Sequence, residues 1–367
     1  MAVGLPLKTT YANGDVYSAS DVNDTNGTIN LFQTSTLSRA AGKNVVINGG
    51  FDVWQRNTSI AGANNSTTFT ADRWNAYRAS AGSTFTRQVT GDTTNLPNIQ
   101  YCLRVARDSG NTGTGNIITA QSVESINAIP FAGQTVTVSW YARRGANYSA
   151  ASNNLNYEFI TGTGTDQTIL GTYTGAVTTT GTKTLTTTWQ RFSYTVTLAA
   201  TATEFGLDFY FTPVGTAGAA DYFEITRVQV ELGSYATTFS RAGGTIQGEL
   251  AACQRYYFRT SSSGANYIYG LAQCYGTTTG GAVIPLPVPM RVRPTALEQS
   301  GTAGDYQVYS SSGAAIALTS VPTYAGVATS QYQAAVNFTV SSGLTGGNVT
   351  QLTAANANSF LGWSVEL

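Results

Sequence analysis

Apolar and polar positions alternate with a period of two through most of the chain. Val136, Val138 and Trp140 share one face of a strand, while Thr135, Thr137, Ser139 and Tyr141 share the other. Phe192, Tyr194, Val196 and Leu198 repeat the design, as do Phe205, Leu207, Phe209 and Phe211. Such alternation describes half-buried strands of antiparallel sheets, and Ala132-Gly133, Gly145 and Thr212-Pro213 supply turns between them. Several strands between Asn44 and about Ser240 predict two sheets packed face to face. In a jelly roll the first and last strands lie side by side, so NVVING from Asn44 is expected to pair with FEITRVQVEL from Phe223. Phe51, Trp54, Trp74, Trp140 and Trp189 are the expected core residues. Phe223 and Ile225 set one phase, and Val228, Val230 and Leu232 the opposite one. Either a β-bulge at Thr226-Arg227 restores a common face, or the two halves of that strand face different layers.

The ends of the chain read differently. Residues 1–17 are polar and extended in character. A short helix follows, with Ser18 and Asp21 spaced as a capping box and Gly42 as its stop. Val22, Thr25, Ile29 and Phe32 recur at 3-4 spacing. That seam suits a helix lying on its own domain, or a parallel bundle between identical subunits. Arg241-Ala242-Gly243-Gly244 reads as a flexible hinge, and GELAACQRYYF beyond it as a helical turn entering a strand. Tyr267, Tyr269 and Leu271 alternate again, as do Val336, Phe338 and Val340, then Leu361, Trp363 and Val365. In AVIPLPVPMRVRP the prolines at 285, 287 and 289 predict an edge strand or a polyproline-like strap and exclude a central strand. The expected fold is therefore mostly β. An anchor of extended segment and short helix (1–43) precedes a central β-sandwich (44–241) and a small C-terminal β domain (242–367).

Composition narrows the function. Of 367 residues only 10% are charged, and the net charge is zero. A footprint for nucleic acid or for an anionic membrane is missing. No apolar run is long enough to cross a bilayer. MAVGLPLKTT lacks a secretion pattern, so synthesis in a cytoplasm is expected. Histidine is absent, which removes Ser-His-Asp and Cys-His catalysis and the commonest zinc ligand. Cys102, Cys253 and Cys274 have neither disulfide nor zinc spacing. No enzyme activity is expected, although carboxylate-pair chemistry survives the exclusion. Glu158, Asp166, Asp208 and Glu224 are candidates that nothing in the linear sequence brings together. Asp72-Arg73 is expected to clamp neighbouring backbone or each other.

Sugar recognition needs an aromatic platform with polar groups beside it. Tyr77, Tyr141, Tyr148, Tyr157 and Tyr173 lie among polar neighbours, with Asn75, Arg78, Arg143 and Asn156 near enough to supply hydrogen bonds. Tyr77, Tyr141, Arg143 and Tyr157 are the candidate glycan contacts. Packing against cross-strand neighbours, or in a trimer interface, is the alternative for each tyrosine.

These segments carry a likeness. NVVINGGFDVWQR, TADRW, GQTVTVSWYAR, TTWQRFSYTVTL and VQVELGSYATTFSR together resemble a jelly-roll module of bacteriophage fibre and virion-surface proteins. That module is similar in turn to carbohydrate-binding modules of polysaccharide-degrading enzymes. ELAACQRYY with VPMRVRPT resembles the C-terminal segment that accompanies the module in tail fibres, and GDVYSASDVNDTNGTIN their N-terminal segment. The resemblance implies a virion structural protein made in the host bacterial cytoplasm. It would be a homotrimeric tail fibre joined to other virion proteins through residues 1–43 and touching host surface polysaccharide. A capsid decoration or head-fibre protein, or a glycan-hydrolysing adhesin, is the alternative. The chain lacks the short repeats of a β-helical spike. The carbohydrate-binding family often holds a structural calcium; Asp52 matches its first acidic ligand, but Thr226 and Arg227 stand where the last is needed. No metal or cofactor is therefore expected.

Overall fold

The computed structural model describes residues 43–96 and 99–367. The expected seam of Val22, Thr25, Ile29 and Phe32, and the anchor apart from Lys43, lie outside the described residues. The rest is mostly β, as the alternation predicts.

The first half contributes β1 (Ser59–Ala61), β2 (Thr68–Phe69), β3 (Asn75–Arg78), β4 (Ser83–Val89), β5 (Tyr101–Arg107) and β6 (Ile117–Val123). It continues with β7 (Thr135–Arg144), β8 (Asn154–Gly162), β9 (Val177–Thr184), β10 (Gln190–Thr197), β11 (Glu204–Phe211) and β12 (Tyr222–Leu232). Two six-stranded sheets result, in the orders β1-β4-β5-β12-β7-β10 and β2-β3-β6-β11-β8-β9. From β5 to β8, and again from β9 to β12, successive strands alternate between the sheets, which is jelly-roll wiring. The inward faces meet in one core containing Phe85, Val105, Val138, Trp140, Phe159, Phe205, Phe209 and Phe223. Trp74 and Trp140 are fully buried in it, and Trp54 is half-buried against it and donates from its indole to the Phe51 carbonyl; Trp189, expected there too, is buried instead in a separate cluster with Leu96 and Cys102.

The expected bulge is present. The β12–β7 register slips between Thr226 and Gln229, and Arg227 takes a positive φ of 53°. Phe223, Ile225, Val228 and Val230 consequently all enter the same core.

The opening segment meets β12 but is not a strand. Residues 47–50 form turns, and the joining is shared between the Asn44 side chain and backbone bonds, among them Val45 to the Val230 carbonyl. Asn44 donates to the carbonyls of Val228 and Ser240, each at 3.1 Å. Its oxygen accepts from the amides of Val46 and Val230. Val228 in turn donates to the Gly49 carbonyl, and any Cβ at Gly49 would sit 2.0 Å from the Val228 oxygen. Backbone approach that close admits only glycine.

The C-terminal half begins with a helix, Ile246–Gln254, whose Thr245 side chain accepts from the Gly248 amide. It leads into β13 (Tyr257–Ser261) as expected. There follow β14 (Ile268–Cys274), β15 (Thr279–Pro285), β16 (Glu298–Gln299), β17 (Tyr306–Tyr309) and β18 (Ala315–Ala317). Last come β19 (Thr323–Tyr324), β20 (Gln333–Thr339), β21 (Val349–Ala354) and β22 (Phe360–Ser364). These make a three-stranded sheet, β13-β22-β16, and a seven-stranded one, β18-β17-β21-β14-β15-β20-β19.

Three expectations need correction here. AVIP lies in β15, a central strand. The ladder runs through proline-free residues and stops at Pro285, so no donor is missed; Leu286 and Met290 then donate to Tyr332 and Gln331 carbonyls. A register slip between Ile268 and Gly270 reverses the phase of β14, so Tyr269 points inward and Leu271 outward. The segment Arg241–Gly244 is not a free hinge. Arg241 pairs with Asp52 at 2.8 Å, and Glu249 accepts from both Gly243 and Asn48 amides. A side chain at Gly243 would strike the Gly248 backbone at 2.1 Å, so the glycine serves close packing.

Further contacts join the halves. Arg73 donates to the Ser122 carbonyl, stacks 3.7 Å over Tyr256 and pairs with Glu366. Glu124 accepts from Arg255 and from the Tyr256 hydroxyl, and Arg56 lies 3.5 Å over Tyr257. Asp72 accepts from the Gln55 amide, and burial pushes its carboxyl up to about 6. Asp72 and Arg73 are thus clamps on neighbouring chain.

Candidate functional site

The structure does not gather Tyr77, Tyr141, Arg143 and Tyr157 into one site. Tyr157 points into the sandwich, stacked on Tyr194 at 4.5 Å and 5.3 Å from Trp140. Leu155 and Phe159, two residues either side, are also inward, so the strand's own phase places Tyr157 there. Arg143 lies on the outer face of the β12-containing sheet, where it and Arg104 grip the fully buried Glu224 at 2.6 Å each. Its guanidinium also lies 4.9 Å from the Trp189 ring. Tyr141 packs beside Trp189, Cys102 and Leu96 on that same face. Those three residues serve the architecture.

The implied calcium ligands do not fit a cation. Asp52 is neutralised by Arg241, the Thr226 hydroxyl donates to the Tyr101 carbonyl, and Arg227 brings a positive charge to the last position.

Tyr77 alone of the four lies on the outer face of the other sheet, and that face has the composition of a sugar platform. Its register can be read directly. Tyr77 pairs with Ile118, Ile118 with Tyr210, and Tyr210 with Asn156. Neighbouring strands lie about 4.8 Å apart, so the two tyrosines stand roughly 10 Å apart with Ile118 between them. Both are half-buried and anchored: Tyr77 to Asn65 at 3.3 Å, Tyr210 to Glu158 at 3.4 Å. The adjacent row runs Asn75, Ala120, Asp208, Glu158 and Thr180. The loop between β8 and β9 closes one end, packing Ile169 and Tyr173 over Ala120.

Two oxygens in this second row are unsatisfied. Asn75 Oδ1 and Asp208 Oδ1 are buried with no hydrogen-bond partner, on either side of the small Ala120. A buried acceptor without a donor costs about 1–3 kcal/mol, and the loop packed over Ala120 keeps both oxygens from solvent. Burial first, and the neighbouring Glu158 second, push the Asp208 carboxyl well above its usual range. Burial likewise raises the Tyr210 hydroxyl, with Glu158 and Asp208 adding to it.

A pH dependence follows. A carboxyl with a raised folded value contributes its stability at low pH and loses it as pH rises through that value. Asp208→Asn is therefore expected to raise the melting temperature by several degrees at about pH 8 and to leave it nearly unchanged near pH 3, where both side chains are neutral. Differential scanning calorimetry at the two pH values checks this.

Glu158 and Asp208 were among four carboxylates with no visible reason to meet; β8 and β11 place them directly opposite each other. Tyr210, not among the sequence candidates, is out of phase with Phe209 and Phe211 and so faces outward.

No family model matches the chain, and no curated protein matches it. Among solved structures, part of the chain is similar to the enzymatically active domain of tailspike protein 4 from bacteriophage CBA120. Identity is 12%, the TM-score is 0.34, and the match covers 52% of this chain and 21% of that one. A CBM4 structure is 19% identical with a TM-score of 0.31, covering 51% of this chain and 98% of that one. TmCBM61, solved with β-1,4-galactotriose, is 10% identical with a TM-score of 0.29, covering 52% and 99%. The jelly-roll assignment stands on the strand order of this chain itself.

Proposed function

We propose that this protein is a non-enzymatic, glycan-binding structural protein of a bacteriophage virion, built as a homotrimeric fibre. Glycan binding is assigned to the outer face of the sheet containing Tyr77 and Tyr210. The observation that carries it is the pair of anchored, part-exposed tyrosines in register on one face, with the part-exposed Asn156 and Glu158 beside Tyr210. Pyranose rings present an apolar face to such tyrosines and hydroxyls to polar side chains beside them, here Asn156 and Glu158. The virion setting and the trimer rest on the resemblance of the ordered segments from NVVINGGFDVWQR to VPMRVRPT.

Binding without hydrolysis is favoured by geometry. Glycosidic cleavage needs two carboxyl groups flanking the scissile bond. Glu158 and Asp208 rise from adjacent strands on one face, so both lie on the same side of anything resting on it. Glu224 is held between two arginines, and Asp166 accepts from Ser125 and pairs with Arg291.

The test is a titration of purified protein with bacterial surface polysaccharides, wild type against Tyr77→Ala and Tyr210→Ala. Each aromatic contact is worth about 0.5–1.5 kcal/mol, so each variant is expected to weaken binding by about two- to tenfold without unfolding. Unchanged affinity in both variants, or release of reducing ends by the wild type, contradicts the reading.

A further inference from the structure

We propose that residues 21–32 dock onto the outer face of this chain's own sandwich, setting Asp21 and Asp24 against Arg191 and Arg227. The register of β10, β7 and β12 builds the receiving surface. Arg191 stands opposite Tyr141 and Tyr141 opposite Thr226, with Arg227 next along the bulge. Arg227 lies 5.9 Å from the Tyr141 ring and 6.0 Å from the Phe239 ring, and Arg191 lies 6.0 Å from Tyr141. Arg241 brings a third guanidinium close by. Burial lowers the Arg227 pKa, the Tyr141 hydroxyl opposes that shift, and Arg191 and Arg241 add to it by like-charge repulsion. The nearby carboxylates are already taken, Asp52 by Arg241 and Glu231 by Lys43, while Arg191 donates to the Thr237 carbonyl and makes no ion pair with a described residue. Guanidinium groups gathered beside two aromatic rings favour a partner that carries both carboxylates and apolar side chains.

Two observations identify the occupant. The first is where the chain enters. Lys43, the first described residue, donates to the Thr238 carbonyl at 3.1 Å, between the Thr237 carbonyl held by Arg191 and the Phe239 ring. Residues 1–42 therefore lead away from the rim of this surface. The second is composition. Residues 9–38 hold Asp15, Asp21 and Asp24 and no Lys or Arg. On the helix that the spacing predicts, Asp21 and Asp24 border the row of Val22, Ile29 and Phe32, so carboxylates and apolar side chains are offered together. The 19 residues from Asp24 to Lys43 can reach up to about 60 Å, which spans the surface with room to spare. Attachment to the same chain gives an effective concentration on the order of millimolar, and an outside anion would have to outcompete it. The inference is independent of the glycan reading, which uses the other sheet.

The test uses the full chain with Arg191→Lys, which places an amine on the surface, and a zero-length carbodiimide, which joins an amine to a carboxylate as an amide. Thr182→Lys, exposed on the other sheet, is the reference. Peptide mapping is expected to find position 191 joined to Asp21 or Asp24 in about tenfold the yield that the reference gives with either aspartate. In a sample assembled from isotopically light and heavy chains, the joined peptides are expected to share one label. Mixed labels would place the segment on a neighbouring copy, and a yield no better than the reference would leave the surface uncovered. Loss of the linkage at micromolar tetragalacturonate would give the surface to an outside anion. Each of these results overturns the proposal. A second measurement leaves the surface unaltered: Asp21→Asn together with Asp24→Asn is expected to speed amide hydrogen exchange in residues 22–32 about tenfold, with the melting temperature of the sandwich retained. Equal exchange in this variant and the wild type overturns the proposal as well.

Discussion

Truncating Trp140 to alanine is expected to destabilise the sandwich by about 3–5 kcal/mol, the range for emptying a fully buried aromatic site. The indole is inaccessible to solvent and sits amid Phe209 at 5.0 Å, Tyr157 at 5.3 Å, Phe192 at 5.8 Å and Tyr194 at 6.0 Å. Those rings come from both sheets and from the edge strand β10, so the cavity would loosen the packing between layers. Trp140→Phe is expected to cost much less, since the indole nitrogen has no hydrogen-bond partner to lose. Urea unfolding of the three proteins separates the cases. Equal losses for Phe and Ala would show that shape at this site matters less than the ring contacts indicate.

The second large effect is expected at Asn44. Its amide fulfils four hydrogen bonds at 3.0–3.1 Å and is 1% exposed. Alanine there leaves the amides of Val46 and Val230 without an acceptor, each costing about 1–3 kcal/mol. A total loss of about 3 kcal/mol is expected. Asn44→Asp restores the acceptor but sets a carboxylate against the carbonyls of Val228 and Ser240, so it is expected to rescue little. Both variants are checked by the same unfolding curves, and a loss under about 1 kcal/mol would contradict the role of this side chain as the clasp between the first and last segments.

Much of this fold was legible from side-chain phase. Alternation is a local property, so Val136 to Trp140 and Phe205 to Phe211 declared their faces without knowledge of their neighbours. The phase reversal after Ile225 likewise admitted the bulge at Thr226-Arg227. AVIP hides its central place because the three prolines spaced by two resemble an edge, whereas only Pro285 reaches the sheet and it stands at the strand's end. Arg241–Gly244 is ambiguous in sequence for a related reason. Glycine there allows tight packing against the helix, which looks the same in sequence as freedom to move.

The site was less legible because it is made across strands. Glu158 and Asp208 meet only when β8 and β11 pair, and Tyr77 joins Tyr210 through β6 between them. No local signal sets those neighbours. Tyr157 is different: the flanking Leu155 and Phe159 already fixed it on the inward face. Tyr210, offset by one from Phe209, was readable as outward in the same way. Arg143 lacked any such sign, since its partner Glu224 is distant in sequence and the pair becomes visible only once β7 and β12 are adjacent.

The most direct test is to solve the protein with a bound oligosaccharide taken from a polysaccharide it retains. The account predicts sugar rings lying across Tyr77 and Tyr210, with hydroxyls bonded to Asn156 or Glu158. Sugar on the face holding Tyr141 and Arg143, or on the seven-stranded sheet, would contradict it.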